Sequence, residues 1–84
     1  MTGKYDPLEK YLRRLPMSQE QITLSFQSIE QELNDTLPQS AREDRDWWGN
    51  QKQGTTVENI AWMDAGWLVD KVDLREKWVR FVRQ

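Results

Sequence analysis

The stretch WLVDKVDLREKWVRFVR, residues 67–83, decides the fold. It is rich in β-branched and aromatic residues and carries charged residues between them, as strands with one buried face do. Trp67–Asp73 and Lys77–Arg83 read as the two strands of a hairpin around Leu74-Arg75-Glu76. Alternation in the second strand puts Val79, Phe81 and Arg83 on one face and Trp78, Arg80 and Val82 on the other. In the first strand, Asp70 and Asp73 are an odd number apart, so unbroken alternation sends them to opposite faces and denies them a paired-carboxylate role.

Working back from the hairpin, Gly66 supplies the positive φ that ends a helix. That helix starts at the capping box Thr55-Thr56-Val57-Glu58 and turns Val57, Ile60, Ala61 and Ala65 inward. Before a polar loop over residues 49–54, Leu37-Pro38 opens another helix, through Ser40-Ala41-Arg42-Glu43-Asp44-Arg45 to Trp47-Trp48. Ser25 caps a helix striped by Phe26, Ile29 and Leu33, which ends near Asn34-Asp35. The short segment 19–24 reads as a strand with Ile22 and Leu24 on one face. Asp6-Pro7-Leu8-Glu9 starts a first helix over Pro7–Leu15, with Asp6 as its cap, and Pro16 stops it.

The resulting class is α+β, with three to four helices, a small three-stranded antiparallel sheet and a C-terminal hairpin. The order resembles a winged helix with one helix added, provided that the strand before Ser25 pairs with the hairpin. The expected core is Leu8, Leu12, Ile22, Phe26, Ile29, Leu33, Ile60, Trp67 and Phe81.

At 84 residues the chain is one domain over 1–84, and its five tryptophans compensate for a short core. Without cysteine or histidine it lacks thiolate and imidazole ligands and the commonest general base. No phosphate-cradling glycine loop or activated serine appears, so the expectation is a binding module that is not an enzyme and needs no metal or cofactor. No apolar run approaches the roughly 20 residues of a membrane span. The first residues lack the apolar stretch of a signal peptide, which points to the cytoplasm and away from the membrane.

Two kinds of partner fit the sequence. The two helices around residues 34–37 have helix-turn-helix length, which points to duplex DNA. The nucleic-acid contacts would then be Arg42, Arg45, Asn50 and Lys52, with Trp48 as a stacking surface and Arg75 and Lys77 touching backbone from the hairpin tip. Arg42 and Arg45 read as exposed. Against this stand Glu43, Asp44, Asp46 and a net charge of −2. The alternative is a protein-interaction or regulatory module anchored by an exposed tryptophan. Trp47 and Trp48 cannot both enter one core from successive helical positions.

Asp6-Pro7-Leu8 with Tyr11-Leu12, Ser25-Phe26 with Ile29-Glu30, Leu37-Pro38 with Ser40-Ala41-Arg42, Trp47-Trp48 with Asn50, and Trp62 with Ala65-Gly66-Trp67 together form a specific set. On these motifs the chain, from Tyr5 to Val82, resembles a family of small uncharacterised bacterial domains. The resemblance implies a compact domain, known mostly as free-standing short proteins. It supplies no catalytic or ligand residues.

Overall fold

Helix α1 (Asp6–Arg13) leads through a turn to strand β1 (Gln21–Ser25) and helix α2 (Phe26–Leu33). A short helix α3 (Gln39–Glu43), a 3-10 turn (Arg45–Trp48) and helix α4 (Val57–Asp64) follow, and strands β2 (Trp67–Asp73) and β3 (Trp78–Arg83) close the order. The computed structural model describes residues 5–49 and 57–84, without the side chains of 57–60. The expected Thr55–Glu58 capping box and the inward faces of Val57 and Ile60 lie outside that description.

The sheet is antiparallel in the order β1-β3-β2. Strand β1 does pair with the hairpin, Ile22 opposite Phe81 and Leu24 opposite Val79. The inner face carries Leu24, Trp67, Val72, Val79 and Phe81, all buried against Leu8, Leu12, Phe26, Ile29 and Leu33 of the helices. Ile22 packs at the margin of this core. Tyr5, Leu37, Ala41, Trp48, Ala61 and Trp62 complete it.

Local chemistry sets most boundaries. Ser25 is extended and its hydroxyl accepts the Ser28 amide at 3.0 Å, which caps α2. Asn34 ends α2 in the left-handed region at φ 54°, a conformation that asparagine tolerates better than most residues. Gly66 does the same after α4 at φ +88°. Helix α1 differs from the expectation. Its cap position is Tyr5, without a side-chain cap bond, and Asp6 is already helical. It also ends at Arg13, before the proline.

A larger departure is the third helix. Asp44 leaves helical geometry at φ −122°, ψ 113°, and its carboxylate accepts the Asp46 amide at 2.9 Å. A side chain that satisfies its own backbone competes with helix continuation. The expected single helix therefore becomes five residues of α3 and a separate 3-10 turn. It is too short to act as the second helix of a helix-turn-helix.

The second departure lies in β2. The register shifts between Val69 and Lys71, leaving Asp70 without a partner on β3. This bulge resets the alternation, so Lys71 stands opposite Arg80 and Asp73 opposite Trp78. Asp70 reaches Arg80 at 2.8 Å. Asp70 and Asp73 are thus both on the outer side, not on opposite faces as unbroken alternation predicts.

Arg83 ties the open end of the sheet to the α1–β1 turn. Its guanidinium donates to the carbonyls of Gln19 at 2.9 Å and Pro16 at 2.8 Å, and lies 4.4 Å from the Trp67 ring centre. Among the described residues no helix is long and apolar enough to cross a membrane.

Candidate functional site

The tryptophan pair divides its roles. Trp48 is 1% exposed and stacks between Phe26, at 5.4 Å, and Trp62, at 5.8 Å. Its indole N–H donates to the Ala41 carbonyl at 2.8 Å. A ring sandwiched in this way has no face left for a base, so the expected stacking role for Trp48 is corrected to core packing. Trp47 is the partly exposed member, set edge-on to Tyr5 and Trp48.

Arg42 is also less available than the sequence suggests. Its guanidinium pairs with Glu30 of α2, whose same carboxylate oxygen accepts the Leu37 amide at 2.8 Å. One carboxylate therefore holds both α3 and the turn before it. Arg45, on the 3-10 turn, is exposed and makes no ion pair with a described residue. Asn50 and Lys52 lie outside the described residues.

The hairpin tip is fixed in place. One Asp73 carboxylate oxygen accepts the amides of Arg75 and Glu76, at 3.0 and 2.9 Å. The Lys77 amide donates to the Asp73 carbonyl at 2.7 Å, and the Lys77 carbonyl accepts the Phe26 amide at 2.9 Å. Lys77 adopts φ 62°, where a side chain with a Cβ is strained. Arg75 and Lys77 are exposed there. Lys77→Gly should relieve that strain and raise stability by up to about 1 kcal/mol, after glycine's own entropy cost. A lower urea midpoint for this variant would show that the lysine side chain stabilises the tip.

Folding brings these distant segments together. Arg42 and Lys77 line one cavity of about 420 Å³, beside Glu30 and Glu76. Arg45 lines a second, of about 320 Å³, with Lys71 of β2. The sequence pattern does not single out Lys71, because its position depends on the bulge at Asp70. Beyond these cavities, the outer sheet face presents Leu68, Trp78 and Val82, half-buried, with the Arg80–Asp70 pair. The Lys71 ammonium lies 5.9 Å from the Trp78 ring centre. Among the described residues no three carboxylates gather to hold a metal.

Fold and surface together define a small α+β domain with an aromatic core and with cations gathered from the 3-10 turn and the hairpin. The chain belongs to the family described as a domain of unknown function, DUF7662, whose model matches residues 5–84. The motif-based resemblance to a small uncharacterised family is in accord with that membership. Neither a curated protein nor a solved structure matches the chain.

Proposed function

We propose that this domain binds nucleic acid, duplex DNA in the first place, through the surface shared by the 3-10 turn and the β2–β3 hairpin. The observation that carries the proposal is the convergence of cations from remote segments, Arg45 with Lys71 and Arg42 with Lys77. The contacts are Arg45, Lys71, Arg75 and Lys77, with Arg42 contributing the part of its charge that Glu30 leaves uncompensated. The strand order β1-β3-β2, with α4 leading into β2, is compatible with a winged-helix arrangement. That likeness supports a class of function only by analogy.

Binding energy comes from releasing the counterions of the phosphates that these side chains neutralise. With 12 Lys and Arg against 14 Asp and Glu, the whole molecule does not add long-range attraction. Affinity is therefore micromolar or weaker at physiological salt. Titrating a short duplex into isotope-labelled protein should move amides of residues 45–49 and 71–78. The log–log salt slope should be on the order of −3, about −0.9 for each phosphate contacted. No movement at low salt overturns the proposal.

One observation favours a second reading. The outer sheet face is charge-balanced around half-buried Trp78, as a protein interface would be. An inert duplex titration puts a protein partner at that face in first place.

A further inference from the structure

The cavity between the 3-10 turn and β2 holds a pattern that a general cationic surface does not need. Arg45, Trp48 and Gly49 line it from the 3-10 turn, and Val69, Asp70, Lys71 and Val72 from β2. Both cations are exposed, and neither is ion-paired with a described residue. The carboxylate that lines the cavity, Asp70, is already neutralised by Arg80 at 2.8 Å. Glu43, Asp44 and Asp46, the acidic residues nearest to Arg45 in sequence, do not line it. The Trp48 N–H is committed to Ala41, so the tryptophan asks for no polar partner in the cavity.

The bulge explains how the pair forms. With Val69 opposite Phe81 on the inner face, unbroken alternation would turn position 71 inward as well. The extra residue at Asp70 turns Lys71 outward while returning Val72 to the core. Bulges commonly re-aim a side chain beside a site, and the edge of a sheet is a place where anions settle. Arg45 and Lys71 both line this space, and an arginine fork with a lysine point charge suits a tetrahedral oxyanion. At about 320 Å³ the cavity stands at the lower end of ligand-sized sites.

We infer that this cavity is the seat of a single phosphate group, gripped jointly by Arg45 and Lys71. The inference rests on the nucleic-acid reading, in which the group is a backbone phosphodiester. A free phosphate monoester would present the same chemistry, and the experiment separates the two sources.

Inorganic phosphate is titrated into labelled protein, with sodium chloride of equal ionic strength as the control. Duplex affinity is then measured for the unaltered protein, Arg45→Gln, Lys71→Gln and the double variant. Both side chains are exposed, so urea midpoints should not change. Phosphate, but not chloride, should move the amides of residues 45–49 and 69–72 saturably, and the double variant should lose this response. Each single variant should weaken duplex binding about tenfold, as loss of one charged hydrogen bond does. Because both groups hold one phosphate, the double variant should lose only about 0.9 from the salt slope, not twice that. Unchanged duplex affinity in the double variant overturns the seat and leaves nucleic-acid binding standing. Saturable phosphate shifts without any duplex binding keep the seat and assign it to a free phosphate monoester, against the nucleic-acid reading. Failure of both titrations overturns both.

Discussion

Trp48→Ala is expected to destabilise the fold severely. Truncating a buried tryptophan costs about 3–5 kcal/mol, whereas a domain of this length has a total stability of about 4–13 kcal/mol. Trp48 bridges three parts of the chain, because it stacks on Phe26 at the start of α2 and on Trp62 in α4 and bonds to Ala41 in α3. Its loss removes the ring that holds the 3-10 turn to the rest of the core. Trp48→Phe keeps the stacking and forfeits the indole N–H, so it should cost about 1–2 kcal/mol for the unpaired Ala41 carbonyl and the smaller ring. Urea unfolding followed by circular dichroism measures both. A Trp48→Ala protein that melts like the parent would show that the ring is not part of the core.

Reversing charge at Arg42 and at Arg45 should give different outcomes, although the two lie three residues apart. Arg42→Glu sets a second carboxylate against Glu30, which also anchors the Leu37 amide. The pair is partly exposed, with side-chain exposures of 35% and 19%, so solvent screens some of the effect. A loss of about 1–3 kcal/mol is expected. Arg45→Glu touches no described partner and should stay within about 0.5 kcal/mol of the parent. Comparing their denaturant midpoints decides the matter: equal midpoints would mean that the Glu30–Arg42 contact holds nothing together. A binding defect in Arg45→Glu is then a statement about the surface, while one in Arg42→Glu mixes surface and fold.

Much of the architecture is legible because single residues there have single uses. Gly66, Ser25 and the alternation in 78–83 each specify one local geometry, and the structure has all three. The bulge at Asp70 carries no glycine or proline to announce it, and it shows only in the register between β2 and β3. The break at Asp44 is equally silent: aspartate occurs inside helices, and only the turn of its carboxylate onto the Asp46 amide ends this one. The candidate site divides in the same way. Arg75 and Lys77 stand at the hairpin tip because turns expose their residues. The partner of Arg42 lies twelve positions away on another helix, and no local periodicity reports such a contact. Trp48 is invisible for the same reason, since its burial depends on rings from α2 and α4 closing on both of its faces.

The sheet order has a consequence for how the molecule is made. Its middle strand is the one that comes last along the chain, and β1 and β2 meet only through it. Until β3 docks there is no sheet, only two edges waiting on the same piece. Closing β1 onto β3 also joins segments separated by most of the chain, a slow step paid in loop entropy. A cut in the 74–77 turn would therefore divide the protein into two fragments with no native strand pairing in either. Mixing them would restore the whole sheet in one event, so assembly itself becomes the readout of folding.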